Sequence, residues 1–456
     1  MSASHRVLET FAREPGRAMR ILGASGQLCY GIPTPAFEAG LARKPDLIGC
    51  DMGSIDPGPH YLGSGELATN PTSTRRDLRK VLLGARSLDV PLVIGSAGSA
   101  GAAPHLDATL AMVREIAREE GLRFRLAVIR ADIDRGEVRR AIRDGRVEPL
   151  DTMPALRESD VDASANLVGQ MGNEAFRRAL EAGVDVVIAG RACDTAIFAA
   201  LPEMAGFDVG PAVHLAKIVE CASLCCLPGG RDSILATLDA RGFELESMAP
   251  NRSATPLSVA AHSLYEQADP FTVREPEGTL DVTDARYEAL DARRTRVEGA
   301  RWIPADAPTI KIEGATSIGS RAILLCGAAD PVFIRRHREL FDEVAEVVKR
   351  LVCEDQPEDY SLRFRAYGID GVHAWSAPPD PYPREIFVMA ECIAPTAARA
   401  SEIVRTTKQY LLHHGYPGRR STGGNVAFPF TPPEVTIGPA YRFNVYHVMQ
   451  VDALAP

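Results

Sequence analysis

Short apolar runs that end in small polar residues recur along the first half of this chain. Each is followed, directly or after a loop, by a stretch with helical spacing. Residues 19–22 lead into Gly23-Ala24-Ser25-Gly26, and residues 46–50 end at Asp51-Met52-Gly53-Ser54. Residues 91–94 end at Gly95-Ser96-Ala97-Gly98-Ser99-Ala100-Gly101, 124–129 at Arg130-Ala131-Asp132, and 185–189 at Gly190-Arg191-Ala192-Cys193-Asp194. Helical spacing covers 35–44, 74–88, 135–144 and 173–182, whereas 55–65 carries only loop chemistry. Uninterrupted apolar strands alternating with amphipathic helices predict a parallel, Rossmann-like sheet covered on both faces, spanning residues 1–230. Right-handed crossovers bring all strand C-terminal ends to one edge, where open α/β sheets bind ligands.

The pattern changes further on. Residues 212–226 read as one apolar helix carrying His214, Lys217 and Glu220 at steps of three, so that neighbours in this trio meet on one face. Residues 231–310 read as a β-rich connecting or capping segment with turns at Glu277-Gly278 and Glu298-Gly299. From 311 to 456 the periods give strand 322–327, helix 331–352, strands 361–367 and 385–393, helix 395–412 and strand 441–451. This βαββαβ order predicts a ferredoxin-like α+β C-terminal domain. A glycine- and proline-rich loop, 415–439, precedes the last strand and includes Arg419-Arg420-Ser421-Thr422-Gly423-Gly424-Asn425. The first twenty residues lack a signal peptide's apolar core and read as a frayed or docking segment.

Composition narrows the class. At 456 residues the chain holds two or three domains, and its net charge of −9 without a basic stripe excludes nucleic acid as the expected partner. No apolar run approaches a membrane span of roughly 20 residues, so no membrane partner is expected. The nine scattered cysteines suit buried thiols in a reducing cytoplasm. Cys221, Cys225 and Cys226 lack a CxxC pair or a neighbouring His-rich hairpin, so no metal site is expected. Neither GxGxxG nor a P-loop is present, and no cofactor is predicted.

Candidate chemistry concentrates at the strand ends. The 95–101 turn, with Ser96, Gly98, Ser99 and Gly101, reads as an anion cradle feeding a helix N-terminus; the alternative is a tight turn with nothing bound. Ser25, Gly26, Asp51, Ser54 and Asp56 join it as substrate-binding candidates, with Arg130 and Arg191 as carboxylate forks. His60, Asp194, Lys217 and Glu220 are the catalytic candidates. His60 is the proton carrier because imidazole titrates near neutrality, and Asp194 is the carboxylate, held ionised by Arg191. The alternative for Asp194 is a helix cap. Ala97-Gly98-Ser99-Ala100-Gly101 is a near miss to a nucleophile elbow, which leaves thioester or ester hydrolysis open.

Several stretches resemble the acyclic terpene utilisation AtuA family: GASGQLCYG from Gly23, DMGSIDPGPHYLGSG from Asp51, GSAGSAG from Gly95, IAGRACDTAIFAAL from Ile188, HLAKIVECASLCC from His214 and EGATSIGSRAI from Glu313. TGGNVAFPFTPPEV, from Thr422, is similar in character. The resemblance implies a catabolic enzyme acting on branched, acyclic isoprenoid acyl-CoA thioesters or related carboxylates, with coenzyme A entering as part of the substrate. It also implies that the C-terminal part corresponds to a small companion domain, here fused. It supplies no catalytic residues. From the residues, the expected chemistry is acid–base, of lyase, hydratase or isomerase type. The alternatives are the hydrolase and a non-catalytic ligand-binding or scaffold subunit. A homo-oligomer is expected.

Overall fold

The computed structural model describes residues 1–265, 267–377, 379–420 and 423–451. The chain forms two compact units, residues 1–316 with 443–456, and residues 317–442.

The first unit is built on a nine-stranded sheet. Five strands, Met19–Gly23, Leu47–Asp51, Leu92–Gly95, Val186–Ala189 and Leu126–Ile129, lie side by side in that order and pair in parallel. Registers such as Leu22 opposite Ile48 and Ile94 opposite Ile188 put their C-terminal ends on one edge. Ser25, Asp51, Ser96, Asp132 and Asp194 therefore follow strand ends that share that edge. Side chains alternate between faces with period two. Leu47 and Val187 enter one hydrophobic cluster, with Phe176 and Phe198, while Ile48 and Ile188 enter the other, with Leu82 and Leu110.

The sheet is not parallel throughout. Ile234–Leu238 pairs antiparallel with Met19–Gly23, and Gly242–Ser247, Arg294–Glu298 and Arg286–Ala289 extend it antiparallel. Four strands of 231–310 thus prolong the main sheet. Thr272–Glu275, Gly278–Asp281 and Arg301–Pro304 form a separate three-stranded antiparallel sheet. The architecture is mixed α/β, with parallel strands in a large sheet and further antiparallel sheets.

Local signals explain most helix boundaries. Asn70 accepts from the N–H groups of Thr72 and Ser73 and opens Pro71–Leu88. The N-terminal segment docks: Ser2 caps Ala3–Arg13, whose Val7 and Phe11 enter the core. Two readings are corrected. The stretch 55–65 contains a helix, Pro59–Ser64, started by a proline at its first turn and stopped by Gly65 in the left-handed region. The helix over 212–226 is in fact Val209–Val219, followed by a 3-10 turn, Ala222–Cys225. The helix Asp194–Met204 lies against the sheet because Gly49 leaves room for it: a Cβ there would come 2.3 Å from the Phe198 ring.

In the second unit, residues 320–328 pair antiparallel with 386–394, and Ser361–Tyr367 pairs antiparallel with 387–393. The helices Pro331–Val352 and Ala397–His413 supply Phe333, Val344 and Ile403 to one cluster with Leu324 and Val388. Two strands are longer than the periods suggested. Thr309–Ala328 runs twenty residues, of which 311–315, themselves part of the first unit, pair there with Asn166–Gln170, and the last strand, Glu434–Gln450, starts inside the 415–439 loop. Within that loop Arg419 donates to Asn425 Oδ1, while Ser421 and Thr422 lie outside the described residues.

Candidate functional site

The C-terminal edge of the parallel strands carries a buried group of charges. Arg191, 4% exposed, follows Val186–Ala189 and makes a two-pronged pair with fully buried Glu313: Nε to Oε2 at 2.8 Å, Nη2 to Oε1 at 3.3 Å. Lys311 adds a second cation to Glu313 at 3.0 Å. Burial works against the Glu313 charge, but Arg191 and Lys311 outweigh it and hold its carboxyl below the usual range. Burial likewise opposes the Arg191 charge, yet Glu313, Asp194 and Asp51 keep the guanidinium firmly protonated. Arg191 thus spends its fork on Glu313, not on Asp194 alone.

Asp51 ends the strand Leu47–Asp51. Its Oδ2 accepts from Gly53 N–H at 3.0 Å, while its buried Oδ1 has no hydrogen-bond partner among the described residues. Burial, then the Asp194 charge, push its carboxyl well above the usual range. Asp194 occupies the first position of its helix, with Cys193 as the N-cap residue, and its buried Oδ1 likewise has no hydrogen-bond partner among the described residues. Glu220 lies within hydrogen-bonding reach of Asp194. Burial and Asp194 drive its carboxyl well up, with Lys217, 2.7 Å away, pulling the other way. Lys217 also sits 5.1 Å from the centre of the Tyr265 ring. Asp51, Arg191, Asp194, Lys217 and Glu220 are therefore gathered into one electrostatic group.

Two further carboxylates beside this group were not legible as candidates. Glu313 is the single carboxylate between Asp306 and Asp330, and that isolation was the available signal. Glu275 ends a strand of the small sheet and faces Cys193 and Thr195. Burial lifts its carboxyl to about 7, against the lowering effect of those two side chains. Nothing in its local sequence announces this.

The other candidates lie as follows. Ser96 Oγ accepts from Arg191 Nη1 at 3.3 Å. Ser99 Oγ donates to the Ser54 carbonyl at 3.0 Å, and Ser54 Oγ accepts from Asp56 N–H. Within the cradle turn, the N–H groups of Ser96 and Ala97 bond the carbonyls of Gly190 and Ala189. The following helix spends the Ala103 N–H on Asp132. Gly98 packs on His105, and Gly101 lies against the Arg191 backbone. Ser25 is buried with its hydroxyl toward the carbonyls of Gln27 and Arg231, and Gly26 touches the Cys221 carbonyl. Asp56 is exposed. Arg130 is exposed and pairs with Asp107 at 2.9 Å. His60 lies on Pro59–Ser64, its side chain 42% exposed and its Nε2 3.3 Å from Glu66. His214, part of the sequence trio, is a core residue: its Nε2 meets Ser263 Oγ at 2.6 Å, and burial lowers its pKa to about 3.

A cleft of about 880 Å³ also opens in the first unit, beside Trp302. Glu174, Glu181, Glu203 and Glu277 outnumber Arg177 and Arg178 there, so it is a poor host for phosphates. No set of three or more His, Cys, Asp or Glu side chains among the described residues is arranged to hold a metal ion. All nine cysteines are free thiols, and no described helix is long and apolar enough to cross a membrane.

The family model described as acyclic terpene utilisation family protein AtuA matches residues 73–230 and 249–440, most of the chain. The chain belongs to the AtuA family. The match takes in Arg191, Asp194, Lys217, Glu220, Glu275 and Glu313. It also runs through the segment that sequence reading compared with a companion domain. Neither the functionally curated proteins nor the solved structures contain a match.

Proposed function

We propose that this AtuA family member performs acid–base chemistry on a branched acyl-CoA or related carboxylate in acyclic terpene utilisation, as a lyase, hydratase or isomerase. One observation carries the reading. Four carboxyl groups, Asp51, Asp194, Glu220 and Glu275, meet at the strand-end edge, two of them with unpartnered buried oxygens and three with raised pKa values. Carboxyls crowded out of water in this way divide into proton donors and acceptors near neutral pH. In this reading Glu220 and Asp194 handle the proton at the reacting carbon, Glu275 resupplies it, and Arg191 offsets the charge that develops. Glu313 positions Arg191.

The hydrolase reading has less support, because the Ser99 hydroxyl donates to the Ser54 carbonyl, and His105, which packs on Gly98, turns its Nε2 to the Tyr61 carbonyl. The strand–helix order supports taking the parallel half as Rossmann-like. The order 361–367, 386–394, 309–328, 434–450 supports taking the βαββαβ part as ferredoxin-like. The reading further takes coenzyme A as part of the substrate, no other cofactor, a cytoplasmic setting and a homo-oligomer.

The test is solvent exchange. Full-length protein is incubated in D₂O with branched, unsaturated acyl-CoA thioesters and with the free acids, and deuterium incorporation is followed by mass spectrometry. Exchange is expected with wild type, falling at least tenfold in Asp194→Asn and Glu220→Gln, equivalent to about 1.4 kcal/mol of barrier. Neither exchange nor turnover with any of these compounds would remove the proposal.

A further inference from the structure

The segment after Glu220 carries Cys221, Cys225 and Cys226 within six residues, and the last two have no part in the chemistry proposed above. They close the 3-10 turn Ala222–Cys225 with their sulfurs 3.9 Å apart. The surroundings treat the two thiols differently. The hydroxyls of Ser223 and Ser247, 2.7 Å from each other, lie beside Cys226. Arg252 is fixed nearby, donating to the carbonyls of Pro228 and Gly229 at 2.7 and 2.6 Å and to Asp232 at 2.5 Å. Contact with the Cys226 sulfur raises the Cys225 pKa, with burial adding to it, and the same contact lowers that of Cys226, while the Cys225 thiol donates to the Ala222 carbonyl at 3.4 Å. Cys226 is therefore the more readily ionised thiol of the pair.

We propose that Cys225 and Cys226 are a reversible modification site, closing to a vicinal disulfide when the protein meets hydrogen peroxide. The Cys226 thiolate attacks the peroxide O–O bond, becoming a sulfenic acid as the distal oxygen leaves and is protonated to water. The Cys225 sulfur then attacks the sulfenic sulfur, forming the S–S bond, and the hydroxyl leaves as a second water with the Cys225 proton. Two thiols are oxidised by two electrons and one peroxide is reduced to two waters.

The geometry makes the bond a switch instead of a staple. Consecutive Cα atoms stand about 3.8 Å apart, below the roughly 4.4 Å at which unstrained disulfides begin. Strain raises the reduction potential, so ordinary thiols reopen the ring. Both thiols are buried, so access requires the turn to open. Leu224 and Leu227, flanking the pair, are 51% and 64% exposed, so a local opening of this turn admits a small oxidant.

The test uses the native full-length protein, hydrogen peroxide and intact-mass spectrometry. The expected product has lost two hydrogens, maps to a peptide linked between Cys225 and Cys226, and returns to the starting mass with dithiothreitol. Cys221→Ser retains the loss, while Cys226→Ser abolishes it. Differential alkylation of wild type, which needs no variant to fold, shows Cys225 and Cys226 protected together. A link through Cys221, oxidation of Cys226 only as far as added oxygens, or reaction solely after unfolding in urea would each overturn the proposal.

Discussion

Glu275→Gln isolates the energetic cost of holding a carboxyl among other carboxyls. In the folded protein this group keeps its proton up to about pH 7, against an ordinary value of 4.5. Between those two values the folded state binds more protons than the unfolded chain, so stability falls as pH rises through the window and is level on either side. The span corresponds to about 3 kcal/mol of stability, present at pH 4 and lost by pH 8. Glutamine keeps the size and the hydrogen-bonding capacity toward Thr195 but does not ionise. The variant is therefore expected to gain on wild type by about 2–3 kcal/mol between pH 4 and pH 8. Trp302 reports on the first unit, and Trp375→Phe silences the second tryptophan, which lies in the other unit. Urea unfolding followed by Trp302 fluorescence at stepped pH gives the difference directly. Parallel stability curves for the two proteins would mean that Glu275 titrates like an exposed glutamate, and its place in the proton path would fall. A gain in stability accompanied by loss of turnover is the trade expected of a group retained for chemistry.

Glu313→Gln leaves Arg191 buried without its carboxylate and is expected to cost about 3–5 kcal/mol in the same unfolding assay, whereas a cost within about 0.5 kcal/mol would show that the pair is not buried. His214 gives the opposite pH sign. Its folded pKa, about 3 against 6.5, makes stability fall as pH drops below 6.5, and His214→Gln should remove about 3 kcal/mol of that loss by pH 4.5. Gly101→Ala forces a side chain onto a backbone at φ +68°, with its Cβ 2.1 Å from the Arg191 nitrogen. It should lower the melting temperature and also weaken turnover, and an unchanged melting temperature would contradict the close approach. His60→Gln, on its partly exposed helix, should change turnover by less than about threefold while Glu220→Gln removes at least tenfold; the reverse order would move the proton chemistry to the Pro59–Ser64 helix.

What the one-dimensional pattern determines is the alternation itself. Uninterrupted runs such as Leu92–Gly95, too short for a helix and closed by glycine, read as strands buried on both faces, and parallel strands must present their ends together, so Asp51 and Asp194 were legible as neighbours. The spacing of Lys217 and Glu220 on one helix likewise announced their ion pair. Local signals also carried the helix Pro331–Val352 and the strand Ser361–Tyr367 without error. Contacts between segments far apart in the chain were beyond that reach. Arg191 pairs with Glu313, 122 positions away, because residues 311–315 pair with Asn166–Gln170 within the first unit. Glu275 gains its near-neutral pKa from burial beside Cys193 and Thr195, which no stretch around it encodes. His214 and Lys217 share a helix and a spacing, yet the first is packed between Phe243 and Tyr287 while the second meets Glu220. Periodicity assigns a face to each residue, but desolvation and charge partners, which decide what a titratable group can do, come only from the segments that tertiary structure lays against that face.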